Sequence, residues 1–243
     1  MSQSAEHANI PVRPVFSTLP SYAAGKPPAP VEGLTQYKLS SNENPLGPVP
    51  EVARVLAEFA TAHRYPDPLS TALRHKLSAR LGVDADDIVT GAGSLGALNQ
   101  ILKTFAGVNA DGVQDEVIYA WRSFEAYPIL VGIMGARSVQ VPNLPDGSHD
   151  LDAMAAAITD RTRLILVCTP NNPTVTESQI RAFLAKVPAH IPVVIDEAYF
   201  EFCAASTVLE GEEAPLNGMD IYRDYENVII LRTFSKAQGL AGL

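Results

Sequence analysis

Continuous apolar runs alternate along this chain with segments whose apolar positions recur at helical spacing. The strand-like runs lie at 88–90, 116–120, 138–141, 164–168, 193–195 and 228–231. Helical spacing marks the segments 51–62, 71–81, 95–105, 124–134 and 152–158. Apolar strands that alternate with helices are typical of a mostly parallel sheet covered by helices on both faces. The pattern therefore predicts an α/β domain with three layers, αβα.

Polar and glycine residues with possible chemistry follow several of these strands. In order along the chain they are Gly93, the segment 121–124, Asn172, Asp196 and Lys236. Ligands of open parallel sheets bind at the carboxyl ends of the strands. We therefore expect these residues to meet at one edge of the sheet and to form a ligand site.

Composition and charge narrow the classes of function. The net charge of −9, without any run rich in Lys or Arg, argues against a nucleic-acid surface. Two cysteines and five scattered histidines show no metal-binding spacing, so no metal site is expected. The first residues form no apolar leader, and no stretch approaches the roughly 20 apolar residues of a membrane span. The expected setting is the reducing cytoplasm, with no membrane partner.

A glycine-rich turn, Gly91-Ala92-Gly93-Ser94, lies between a predicted strand and a predicted helix. Backbone amides at a helix N-terminus can hold a phosphate, and Ser94 would add a hydroxyl. The turn could equally be an ordinary glycine turn with a serine cap. A dinucleotide site is a weaker fit because no acidic residue is evident at the expected later strand end.

Two charged residues complete a pattern that suits pyridoxal 5′-phosphate. This cofactor needs an amine that holds it as a Schiff base and an acid that keeps its ring nitrogen protonated. Lys236 and Asp196 are the candidates, although Asp196 could instead be a helix N-cap and Lys236 a solvated strand-end residue. Glu197 is the neighbouring acid, but strand alternation predicts that it points the other way. An aromatic ring from 121–124 could stack on the cofactor or simply pack in the core.

These motifs, taken in order, resemble the fold-type I pyridoxal phosphate enzymes, and more closely the histidinol-phosphate aminotransferase branch of the class II aminotransferases. The matching stretches are Ser40-Ser41-Asn42-Glu43-Asn44-Pro45, Arg64-Tyr65-Pro66-Asp67, Gly91-Ala92-Gly93-Ser94, Asn171-Asn172-Pro173-Thr174, Asp196-Glu197-Ala198-Tyr199 and Thr233-Phe234-Ser235-Lys236-Ala237. Within the branch, Trp121-Arg122-Ser123-Phe124-Glu125 is more similar to the actinobacterial aromatic (phenylalanine) aminotransferases.

The resemblance implies a role for each matching residue. Lys236 would be the catalytic lysine, and Asp196 would pair with the ring nitrogen. Tyr199 and Asn172 would hold the phenolate oxygen, and Phe124 would stack on the ring. The phosphate would be bound by Gly93, Ser94, Leu95, Thr233 and Ser235, and by Tyr65 from the partner subunit, which implies a homodimer. Tyr22 and Asn44 would approach the substrate.

The resemblance also implies a domain plan and a reaction. Residues 1–45 would form an N-terminal arm and a small-domain segment, and residues 46–243 the cofactor-binding large domain. A C-terminal small domain and a few loop residues after Thr174 are absent by comparison with the family, so we expect the chain to be part of a longer protein. The implied reaction moves an amino group between phenylalanine or tyrosine and 2-oxoglutarate. The alternatives are a histidinol-phosphate aminotransferase of histidine biosynthesis, a decarboxylase or lyase of the same fold, and a non-catalytic cofactor-binding module.

Overall fold

A computed structural model of the protein describes residues 13–21, 28–38, 40–171, 173–204, 213 and 215–243. Its strands are β1 (Glu116–Trp121), β2 (Arg137–Pro142), β3 (Thr162–Cys168), β4 (Val193–Asp196) and β5 (Val228–Leu231). Its α-helices are α1 (Pro50–Ala57), α2 (Thr71–Leu81), α3 (Gly93–Phe105), α4 (Tyr127–Met134), α5 (Leu151–Ala156), α6 (Glu177–Leu184), α7 (Phe200–Ala204) and α8 (Gly218–Asp224).

The five strands form one parallel sheet in the order β2-β1-β3-β4-β5. Its two faces are covered by separate apolar clusters because successive side chains of a strand point to opposite sides. On β3, Leu164 and Leu166 pack with residues of α3 and α4, whereas Ile165 and Val167 pack with residues of α5, α6 and α8. The predicted three-layer αβα arrangement with a parallel sheet is confirmed.

Several element boundaries differ from the predicted ones. Helix α1 ends at Ala57, short of the predicted residue 62, and α4 begins at Tyr127 with Pro128 in its first turn. Proline is tolerated there because the first helical amides have no partner within the helix. Helices α6, α7 and α8 were not among the helices predicted from apolar spacing, although α6 carries a full capping box between Thr176 and Gln179.

The strand predicted at 88–90 is wrong, since this segment lies outside the five-stranded sheet. The Ile88 amide closes a turn onto the carbonyl oxygen of Ala85, and Val89 is largely exposed. An apolar run becomes a strand only when another strand pairs with it, and the described residues provide none for 88–90. The segment still leads directly into the glycine turn before α3.

The first described residues lie on α4. A short 3-10 helix, Pro14–Ser17, packs there, and the Arg13 guanidinium donates to the carbonyl oxygen of Ile133 at 2.9 Å. Leu19 approaches Gly132 so closely that a Cβ at this glycine would clash. This part of the predicted arm is therefore seated on α4. No helix in the described ranges has the length and apolar character needed to cross a membrane.

Candidate active site

Asp196 is the last residue of β4 and lies at the carboxyl edge of the sheet, where only 5% of it is exposed. Its Oδ2 accepts a hydrogen bond from the Tyr127 hydroxyl at 2.8 Å, whereas its buried Oδ1 has no partner among the described residues. Burial raises the pKa of Asp196 to about 6, against the opposing effects of the Tyr127 hydroxyl and the Ala198 amide. A buried carboxylate with an open oxygen is stabilised by a cationic N–H group. This is the group that a protonated pyridine ring presents.

Glu197 points away from Asp196, as strand alternation predicted. Its Oε1 accepts from the Gly218 amide at 2.7 Å, and its Oε2 accepts from the Arg232 Nε at 2.9 Å. The Arg232 guanidinium also stacks on the Phe200 ring, 3.8 Å from its centroid. Burial raises the pKa of Glu197, and Arg232 opposes that rise. Glu197 is thus engaged in a structural ion pair that joins the ends of β4 and β5.

A candidate anion site, called the cradle below, lies at the N-terminus of α3. Gly93 is the first residue of this helix and has a φ of +61°, a conformation that favours glycine. A Cβ there would lie 3.3 Å from Ser235 Oγ and 3.9 Å from Thr233 Oγ1. Ser94 and Leu95 follow in the first helical turn, whose amides lack partners within the helix. The two hydroxyls therefore lie beside the N-terminus of α3, an arrangement that suits a phosphate.

The loop after β5 carries both the cradle hydroxyls and the candidate lysine. Thr233 Oγ1 donates to Ser235 Oγ at 2.9 Å and accepts from the Ser235 amide at 3.1 Å. The half-buried Lys236 places its Nζ 5.3 Å from the centroid of the Tyr199 ring and 3.5 Å from the carbonyl oxygen of Asn42. The Asn42 amide group donates to the Tyr199 hydroxyl at 3.3 Å. The structure thus brings Lys236 and Tyr199 together, as the motifs predicted.

Asn44 holds the lysine loop in place. Its Nδ2 donates to the carbonyl oxygens of Lys236 at 3.3 Å and Ala237 at 2.9 Å. Close by, Gly239 has a φ of +70°, and a Cβ there would lie 2.6 Å from the Gly47 carbonyl carbon. The segment around Asn44 therefore rests directly on this loop. The predicted contact of Asn44 with a substrate stays a prediction.

The remaining candidates differ in how the structure places them. The Phe124 ring stands perpendicular to that of Tyr127 at a centroid distance of 5.3 Å, and 37% of the residue is exposed. Tyr65 is fully exposed, and its predicted role at a partner subunit stays a prediction. Tyr22 and Asn172 lie outside the described residues.

Sequence reasoning missed one residue of this site, Tyr127. It lies three positions after Phe124, where the two rings meet at the start of α4. That spacing between aromatic residues was the available signal.

The residues at this edge fit pyridoxal phosphate at two separate points. The open Oδ1 of Asp196 suits a ring N–H, and the cradle of Gly93, Thr233 and Ser235 suits a phosphate. Among the residues that the structure describes, no group of three or more His, Cys, Asp or Glu could hold a metal ion.

Comparison with known proteins agrees with this geometry. The chain is 51% identical over 236 residues to a protein of Streptomyces coelicolor named aromatic amino acid aminotransferase, and 45% identical over 236 residues to one of Thermobifida fusca with the same name. In both cases the match covers 96% of this chain and 62% of the relative, so the chain spans about three fifths of their length.

Solved structures show the same fold. The histidinol-phosphate aminotransferase of Sinorhizobium meliloti in complex with pyridoxal-5′-phosphate matches with a TM-score of 0.69 and 30% identity, over 83% of this chain and 53% of that one. A putative histidinol-phosphate aminotransferase of Erwinia carotovora matches with a TM-score of 0.71 and 25% identity, over 83% of this chain and 57% of that one. The sequence profile of the aminotransferase class I and II family covers residues 35–243. The chain therefore belongs to the class I and II aminotransferases.

Proposed function

We propose that this chain is the cofactor-binding part of a pyridoxal phosphate enzyme that moves an amino group between an aromatic L-amino acid, phenylalanine or tyrosine, and 2-oxoglutarate. The observation that carries the proposal is the buried Asp196 with one open oxygen, at the same sheet edge as a helix-end cradle and a lysine. The aromatic substrate is supported by the names of curated relatives that are 50–51% identical to this chain, which spans 62% of their length.

Each end of the cofactor has a set of residues that would hold it. Asp196 would accept the ring N–H, and Phe124 would lie against the ring. Tyr199 and Asn172 would donate to the phenolate oxygen. The phosphate would be bound by the cradle formed by Gly93, Ser94, Leu95, Thr233 and Ser235. When bound, pyridoxal phosphate supplies a conjugated cationic ring that draws electrons away from the substrate Cα.

The residues of the chain do the rest of the chemistry. With a pKa of about 6 in the cofactor-free protein, the Asp196 carboxyl is mostly ionised at neutral pH. A neighbouring cation would stabilise the carboxylate further, so Asp196 would keep the proton on the ring nitrogen of a bound cofactor. Lys236 would hold the cofactor by its amine and move the proton at the substrate Cα. Thr233 and Ser235, on the same loop as Lys236, would hold the phosphate close to this amine.

We propose further that the active form is a homodimer. Tyr65 is fully exposed, which suits a residue that reaches the phosphate site of a neighbouring subunit. Mixing a Tyr65→Phe protein with a Lys236→Ala protein tests this, because each hybrid dimer then contains one site with both changes and one with neither. Activity should recover in the mixture toward one intact site per hybrid. Verified subunit exchange without recovery would mean that Tyr65 does not serve the neighbouring site.

A second candidate is histidinol-phosphate aminotransferase activity, favoured by the 30% identity with the solved enzyme of that name. Half-reactions decide between the candidates. Protein carrying this sequence is loaded with pyridoxal phosphate and mixed with phenylalanine, tyrosine or histidinol phosphate, while the visible absorbance of the cofactor is followed. We expect the two aromatic amino acids to react fastest, and Lys236→Ala to abolish the change.

The other outcomes are informative as well. A fastest reaction with histidinol phosphate would favour the second candidate. Tight cofactor binding without any change in absorbance would indicate the non-catalytic module.

A further inference from the structure

Tyr127 lies beside the candidate cofactor site, but it belongs to none of the sequence motifs that predicted this site. It is the first residue of α4 and is completely buried. Its hydroxyl donates to Asp196 Oδ2 at 2.8 Å, the one side-chain hydrogen bond that the structure gives this carboxylate among the described residues. The bond spans 69 residues of sequence and links α4 to the end of β4.

The packing around the ring leaves the Tyr127 hydroxyl little freedom to reorient. The Phe124 ring stands perpendicular to it at 5.3 Å between centroids, and the Tyr119 ring meets it edge-on at 5.4 Å. Val131, one helical turn along α4, closes the same apolar cluster. Close-packed aromatic side chains of this kind occupy single rotamers. The hydroxyl is thus aimed at Asp196 before any ligand arrives.

This arrangement makes the two oxygens of Asp196 unequal. Oδ2 is taken by Tyr127, whereas Oδ1 is buried and has no partner in the described part of the chain. We propose that Tyr127 is a positioning residue for the cofactor, because its hydroxyl holds Oδ2 and so leaves Oδ1 as the oxygen that receives the ring N–H. This inference rests on the proposed function, and it adds that one tyrosine supports both the carboxylate and the Phe124 ring.

Electrostatics support the same role. Burial raises the pKa of Asp196, and the Tyr127 hydrogen bond acts in the opposite direction, toward the ionised form. Among the described residues, the titratable groups that face Asp196 are Tyr127 from α4 and Cys168 from the neighbouring strand β3. Burial raises the pKa of Tyr127 well above 10 and also raises that of Cys168, so both stay protonated while Asp196 titrates. Without the Tyr127 hydroxyl, the Ala198 amide would be left to oppose the effect of burial on the pKa of Asp196.

The test removes only the hydroxyl. Tyr127→Phe is compared with Tyr119→Phe, a matched control whose ring lies in the same cluster but whose hydroxyl contacts Gln140. In cofactor-free protein, the unfolding stability of each variant is measured against pH, with and without Asp196→Asn. For each variant, the unfolding free energy with Asp196 is compared with that of the matching Asp196→Asn protein at every pH. The pH at which this difference changes most steeply gives the titration midpoint of Asp196. We expect Tyr127→Phe to raise this midpoint by about one pH unit and to weaken binding of pyridoxal phosphate about tenfold at neutral pH, the effect of one lost charged hydrogen bond.

The control should leave both the midpoint and the binding unchanged. If neither Tyr127→Phe nor Tyr119→Phe changes the titration midpoint of Asp196, the Tyr127 ring contributes only to packing and the inference is wrong. If the unmodified protein binds no pyridoxal phosphate, the proposed function fails, while the midpoint in cofactor-free protein still decides the effect of Tyr127 on Asp196.

A second measurement applies if Tyr127→Phe does not fold. The 13C-labelled carboxyl carbon of Asp196, assigned by its loss in Asp196→Asn, is titrated in protein that contains 3-fluorotyrosine. A fluorinated phenol is a stronger donor, so the pKa of Asp196 should fall. An unchanged pKa would overturn the inference.

Discussion

Replacing Asp196 with asparagine should change how the stability of the cofactor-free protein depends on pH. Burial raises the pKa of Asp196 from 3.8 to about 6, so the folded state disfavours the carboxylate. Between these two values the folded protein holds a proton that the unfolded chain has lost. Stability from this group is therefore fully present below about pH 4 and is lost as pH rises through about 6.

The size of the effect follows from the shift. A difference of about two pKa units corresponds to about 3 kcal/mol of unfolding free energy. At neutral pH, the ionised Asp196 therefore lowers the unfolding free energy of the cofactor-free protein by about this amount. The asparagine side chain of Asp196→Asn would keep an acceptor for the Tyr127 hydroxyl and would carry no charge. Its amide group at the position of Oδ1 would lack a partner, and this cost of roughly 1–3 kcal/mol does not vary with pH. The pH-dependent part of the comparison therefore isolates the carboxylate.

Urea unfolding of both proteins at a series of pH values between about 4 and 8 measures this difference. We expect the wild-type protein to lose about 3 kcal/mol relative to Asp196→Asn as pH rises across this range. His149, whose pKa burial lowers to about 4, gives stability of opposite sign, which is lost as pH falls from 6.5 through about 4. This contribution cancels because His149 is present in both proteins. A difference that does not vary with pH would refute the reasoning that Asp196 is buried with an open charge.

Two further predictions concern the elements around Asp196. Gly93→Ala should weaken binding of pyridoxal phosphate at least about tenfold because it places a methyl group beside Ser235 Oγ. The control is Gly112→Ala, at a similar positive φ but in open space, which should lose stability but keep its cofactor affinity. Equilibrium dialysis measures both affinities. Equal affinities for the two variants would rule out the cradle. Arg232→Met should lower the unfolding free energy measured in urea by about 3–5 kcal/mol, because it leaves the buried Glu197 carboxylate without its cation. Adding Glu197→Gln removes that unpaired charge and should restore much of the loss. An additive loss in the double variant would show that the pair is not coupled.

The positions of the candidate residues were largely predictable because strand ends in a parallel sheet meet at one edge. Asp196 is the last residue of β4 and Lys236 follows β5, and the topology of a parallel sheet brings such residues to one edge. The opposite directions of Asp196 and Glu197 follow from strand alternation. These features depend on local patterns that a sequence displays directly.

Features that depend on contacts between distant segments were not predictable in the same way. The run at 88–90 is apolar, yet it is not a strand because pairing, and not composition, makes a strand. The bond between Tyr127 and Asp196 joins elements 69 residues apart, and Asn44 reaches the lysine loop across 192 residues. Apolar spacing alone cannot show which side chain of a buried helix will meet which strand end.

Lys236 is the residue proposed to hold the cofactor at the site formed by Asp196 and the cradle. Protein loaded with pyridoxal phosphate is reduced with borohydride, digested and mapped by mass spectrometry, with Lys38, the lysine that pairs with Glu43, as the internal comparison. We expect a pyridoxyl group on the peptide that contains Lys236, and none on this peptide in Lys236→Arg protein. A pyridoxyl group on Lys38 or on any other lysine, with Lys236 unmodified, would show that Lys236 does not hold the cofactor.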